Sequence, residues 1–74
     1  MYRDDKIRAE MAVQRLHDED MAEKTGLSRQ TIALYRKGEV KEPKLSTLHS
    51  IAAALDKDVL WLLEPKPVIE SAAA

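Results

Sequence analysis

The sequence has no cysteine, no phenylalanine, two glycines and three prolines among its 74 residues. Without cysteine, neither a disulfide nor a thiolate metal site can staple so short a chain. The absence also fits a reducing compartment. No apolar run is longer than Val59 to Leu63, which is far too short to span a bilayer. The first residues, MYRDDKIR, lack the apolar stretch of a secretory signal, so a cytoplasmic protein is expected. No glycine-rich phosphate loop is present. No segment alternates strongly enough to form a strand. The net charge of −1 excludes a uniformly basic nucleic-acid binder.

What is present is helix-forming usage, rich in Ala, Leu, Glu, Lys and Arg. The length allows one small domain, which buries roughly 60% of its unfolded surface. The hydrophobic spacing predicts five short helices. The first spans Asp5 to Leu16, with Ile7, Met11 and Leu16 inward. The second begins near His17 or Asp18, carries acids in its first turn, and stops at Gly26. Ser28 caps the third, which buries Ile32 and Tyr35 and ends at Gly38. A loop from Glu39 to Lys44 leads to the fourth, striped by Leu45, Leu48, Ile51, Ala52 and Leu55. Asp58 caps the fifth, Val59 to Glu64, and Pro65 and Pro67 bar its continuation. Residues 1–66 are expected to form the domain and residues 67–74 a loose tail. The alanine-rich end is equally consistent with a linker stub of a longer regulator.

Charge is unevenly spread. Residues 28–44 hold five bases (Arg29, Arg36, Lys37, Lys41, Lys44) against Glu39 and Glu42, an excess of three. Asp18, Glu19, Asp20 and Glu23 form an acidic stretch just before it. The segment DEDMAEKTGLSRQTIALYRKGE meets the needs of two helices crossing over a tight turn. Ala22 is small at the crossing, Gly26 frees the turn backbone, and Met21, Leu27, Ile32 and Tyr35 are apolar plugs. With Met21, Ala22, Gly26, Leu27, Ser28, Ile32 and Gly38 at their present spacing, Ile7 to Leu63 resembles the Cro/repressor-type (XRE-like) helix-turn-helix family, which includes lambda-type phage repressors. PKLSTLHSIAAALDKDVLWLL resembles its last two helices.

The resemblance implies an all-α, five-helix, lambda-repressor-like domain that binds double-stranded DNA as a transcriptional regulator, in the cytoplasm with the nucleoid. By position it implies base reading by Arg29, Gln30, Ala33 and Leu34. The chemistry of the first two agrees: arginine bonds guanine O6 and N7, and glutamine bonds adenine N6 and N7. Ala33 or Leu34 suits a thymine methyl. Ser28, Arg36, Lys37, Lys41 and Lys44 fall where the family meets the DNA backbone. Ordinary solvated charge is the bland alternative for these, most of all for Lys41, flanked by Glu39 and Glu42. Two departures stand out. Many relatives carry a phosphate-binding glutamine where this chain has Asp18, and Thr25 replaces a usual aliphatic. Some phage repressors also pair an arginine on the first helix with a glutamate ending the third. Met11 and Arg36 occupy those positions here, which leaves Glu10 as the expected partner of Arg36.

Enzyme chemistry is not expected. Ser46, His49 and Ser50 lack an orienting acid and an oxyanion site, and His17 and His49 are too far apart in sequence to suggest a metal. No cofactor is implied. Five consecutive large apolar residues at Val59–Leu63 overfill one helix face, and the family dimerises around its fifth helix. A homodimer through Leu60, Trp61 and Leu63 is therefore expected, against the alternative that Val68 and Ile69 fold back over them. The rival function is a protein-interaction module of the same fold, antitoxin-like or a cofactor bridge. The acidic second helix favours that rival, and the basic third-helix region disfavours it.

Overall fold

The computed structural model describes residues 2–64. They form five helices: α1 (Asp4–Val13), α2 (Asp18–Thr25), α3 (Arg29–Lys37), α4 (Leu45–Ala54) and α5 (Val59–Leu63). There is no strand among the described residues. Val68, Ile69 and the expected tail lie outside them.

The helix limits follow from local chemistry. Asp4 and Asp5 sit in the first turn of α1 and Asp18, Glu19 and Asp20 in that of α2, each at the positive end of the helix dipole. The Ser28 hydroxyl accepts from the Thr31 amide at 3.1 Å, and Asp58 Oδ1 accepts from the Leu60 amide at 2.9 Å. These caps satisfy donors that the first turn leaves open. Gly26 and Gly38 take positive φ after α2 and α3, as the spacing predicts. At Gly38 a Cβ would also stand 2.8 Å from the Asp4 carboxylate, which would have to move aside.

Three expectations need correction. α1 ends at Val13 rather than Leu16, because Arg15 turns left-handed and the Leu16 amide reaches back to the Met11 carbonyl at 2.8 Å. Leu16 packs on the core from outside the helix. Leu45 stands at the open start of α4 and is 56% exposed, so the buried stripe begins at Leu48. Glu10 does not meet Arg36; its carboxylate accepts from Gln14 Nε2, which also donates to the Leu55 carbonyl.

The core joins all five helices, with Ile7, Met21, Ile32, Ile51, Leu55 and Leu62 fully buried. Tyr2, ahead of α1, is buried too. Its hydroxyl donates to the Tyr35 carbonyl at 2.6 Å, and the two rings lie 5.6 Å apart. The next residue ties the same segment to α5, since the Arg3 amide donates to the Leu62 carbonyl at 2.7 Å. The start of the chain thus holds the end of α3 and the middle of α5 together.

Burial pushes the Tyr2 phenol up to about 12, with the nearby Asp4 carboxylate adding to the rise. The folded state therefore favours the neutral phenol. Its stabilisation is full below the ordinary tyrosine value and fades as pH climbs from there to about 12. Tyr2→Phe is expected to remove this part of the alkaline loss, read by circular dichroism melts across that range. An identical alkaline slope in both proteins would disprove the assignment.

Candidate nucleic-acid interface

α2 and α3 cross over the turn at Gly26. Thr25 explains its own departure from an aliphatic: its Oγ1 donates to the Met21 carbonyl at 2.7 Å and accepts from the Leu27 amide at 3.1 Å. One side chain thereby satisfies both sides of the turn. α3 packs on α1 and α2 through Ile32 and Tyr35, which are buried. Its other face carries Arg29, Gln30, Leu34 and Lys37, all exposed, with Ala33 half-buried between them. Gln30, Ala33, Leu34 and Lys37 line one shallow hollow; Arg29, Gln30 and Ala33 line another with His17, Asp18 and Glu19. All four base-reading candidates thus lie on one solvent-facing surface of one rigid helix.

The backbone candidates divide. Ser28 is exposed but spends its hydroxyl on the cap and on Thr31. Lys37, Lys41 and Lys44 are exposed. The loop bearing the last two is fixed to α3 where the Lys44 amide donates to the Tyr35 hydroxyl at 2.9 Å. Arg36 is half-buried and spends two nitrogens on Asp18, Nε to Oδ1 at 2.8 Å and Nη2 to Oδ2 at 2.9 Å. This fork is the strongest geometry available to a guanidinium and a carboxylate. The Asp18 hydrogen bond holds Arg36 still more firmly protonated.

The acids beside this surface are therefore matched rather than bare. Asp18 faces Arg36, Glu19 lies 3.6 Å from Arg29, and Asp20 accepts from the His17 amide at 2.8 Å. The Glu19–Arg29 pair is exposed on both sides, and such pairs contribute little and release easily. The outer face of α3 is thus open to solvent, with Glu19 paired loosely to Arg29 at its start.

Against known families, the model for the Cro/C1-type HTH DNA-binding domain matches residues 6–67. The chain belongs to this family. Its general role follows: it is a helix-turn-helix DNA-binding protein of transcription regulation, with α2 and α3 as the helix-turn-helix and double-stranded DNA as its partner. No curated protein and no solved structure matches the chain. Among the described residues, no helix is long and apolar enough to cross a membrane.

Sequence reasoning missed two members of this Cro/C1-type site. Tyr2, which fixes the end of α3, precedes the first periodic stretch and gives no pattern signal. The Asp18–Arg36 link joins residues eighteen apart. It was foreshadowed only by the oddity of an acid where relatives carry glutamine.

Proposed function

We propose that this protein is a repressor that sets α3, residues 28–37, in the major groove of its operator as a two-fold dimer. The observation that carries the reading is the outer face of α3. Arg29 and Gln30 project from its first turn, Ala33 and Leu34 follow one turn on, and the inner face is locked by Ile32 and Tyr35. A helix held this way presents a hydrogen-bond pattern without having to order its backbone on binding. Arg29 and Gln30 read bases; Ala33 and Leu34 meet thymine methyls. Lys37, with Lys41 and Lys44 on the anchored loop, sets register on phosphates. Ser28 and Arg36 contribute from the edge of the same surface, Arg36 chiefly by bracing the start of α2. Binding there would exclude other proteins from the same stretch of DNA, which is repression in its simplest form.

Pairing is supported by α5. Leu62 is buried, whereas Leu60 is 66% and Leu63 37% exposed. Trp61 is half-buried, with the Lys6 and Lys57 ammonium groups both over its ring. Leu60, Leu63 and the Trp61 edge form the face through which a second copy docks. A two-fold dimer sets half-sites about 34 Å apart, one turn of duplex. Leu60→Glu is expected to abolish self-association while leaving the helical spectrum of the monomer unchanged. Sedimentation velocity checks it, and an unaltered profile would remove the dimer.

The deciding experiment for the whole reading is selection of bound duplexes from a random pool. A symmetric consensus with half-sites one turn apart supports it. Recovery of no duplex at low salt sinks it and favours a protein-docking role for the acidic start of α2.

A further inference from the structure

Four of the helices are followed, within two residues, by one with left-handed backbone. These residues are Arg15 (φ 58°), Gly26 (φ 79°), Gly38 (φ 73°) and Asp56 (φ 62°). Glycine adopts this conformation without strain, and aspartate tolerates it because its short polar side chain bonds locally. Arginine has neither advantage. The bonds around Arg15 are those of a glycine-type helix end. Its amide donates to the Ala12 carbonyl at 3.2 Å and the Leu16 amide to the Met11 carbonyl at 2.8 Å. After α3 the same pair of bonds, Gly38 to Tyr35 and Glu39 to Leu34, is built on glycine. The backbone at position 15 asks for glycine, and the sequence supplies a long cation. Strain kept in place of a cheaper residue points to a task for the side chain.

The surroundings specify the task. Arg3, Arg8, Arg29 and Arg36 each pair with a carboxylate, and no ion pair among the described residues involves Arg15, which is exposed. Arg15 lines an open groove together with Arg8, His17, Asp18 and Arg36, over a floor that includes Met11 and Leu16. His17 and Asp18 also line the hollow beneath Arg29, Gln30 and Ala33. The cationic groove therefore continues the surface that presents α3. At the junction, Asp18 would repel a phosphate, but the Arg36 fork occupies both of its oxygens.

We propose that Arg15 binds a phosphate of the DNA backbone at the α1–α2 turn, replacing an anchor that Asp18 cannot provide. A guanidinium suits this role because its planar fork matches two phosphate oxygens and it stays charged at any working pH. The proposal rests on the reading that α3 docks on duplex DNA, and it adds a contact outside the helix-turn-helix turn and the lysine loop.

The test uses the full chain with Arg15→Gly, Arg15→Gln and Arg15→Lys, titrated on the selected duplex and on random duplex over a salt series. Arg15→Gly relieves the backbone and is expected to raise the melting point. At the same time it should weaken both duplexes about five-fold at 0.15 M salt and lower the slope of log affinity against log salt by about 0.9, the loss of one phosphate. Arg15→Gln should show the same loss of slope without the gain in melting point, and Arg15→Lys should keep the slope. Should Arg15→Gly misfold, the Gln and Lys pair decides alone. Unchanged slope and affinity in Arg15→Gln overturns the proposal. If the wild-type protein retains Arg29-dependent binding in that case, only this inference fails; if wild type binds no duplex at low salt, the docking reading fails with it.

Discussion

Arg29→Ala is expected to weaken binding to the selected duplex by about 1–3 kcal/mol, roughly 5- to 150-fold, and to relax preference at one base pair. Random duplex should be bound nearly as before. The size follows from where Arg29 stands. It is the first residue of α3, its backbone set by the Ser28 cap and by Ile32 in the core. Its side chain is 70% exposed, so it reaches guanine without unpacking anything. The neighbouring Glu19 carboxylate is a loose partner whose release costs little. Fluorescence anisotropy with the two duplexes measures the ratio. Equal losses on both would assign Arg29 to phosphate and remove it from base reading.

Leu62→Ala is expected to cost about 2–5 kcal/mol, the range for a buried leucine whose cavity collapses only partly. A domain of this size holds only several kcal/mol in total, so much of the stability goes with one side chain. The melting point should fall by roughly 10–30 °C. Leu62 is fully buried beneath α5, and its carbonyl takes the Arg3 amide, so the cavity opens where the first residues are tied in. Two residues earlier, Leu60 is mostly exposed. Leu60→Ala should change the stability of the monomer by no more than about 0.5 kcal/mol, read at a dilution below self-association. Thermal melts of the two variants, followed by circular dichroism, separate core from docking face within one short helix. Similar melting points would mean that α5 is not seated as described.

Where a residue's role depended on near neighbours, the sequence was enough. Ser28, Gly26, Gly38 and Asp58 act within a turn of themselves, and the structure places each at the helix boundary expected of it. Ile32 and Tyr35 are buried at the spacing that one helix face dictates. The same periodicity misled at Leu45, because it assigns a face without saying how far the opposing elements extend. α1 was drawn too long because its end is written with arginine, which carries no stop signal. The partner of Arg36 was misjudged for a different reason. Glu10 and Asp18 are equally plausible along the chain, and only the crossing of α2 over α3 brings one of them within reach. Tyr2 was invisible because a single aromatic before a helix has no period. The exposed face of α3 could be read as a surface from its polarity, while its use on DNA rested on resemblance.

Trp61 is the single tryptophan of the chain, and Lys6 and Lys57 place ammonium groups 5.5 and 5.6 Å from its ring centroid. That gives the protein a label-free optical reporter on α5, a different helix from the one proposed to meet DNA. Its emission answers to the electrostatic setting of α5, so dilution through the association range should shift the spectrum if two copies meet there. Loading with duplex at constant oligomeric state should leave the colour of that light where it was.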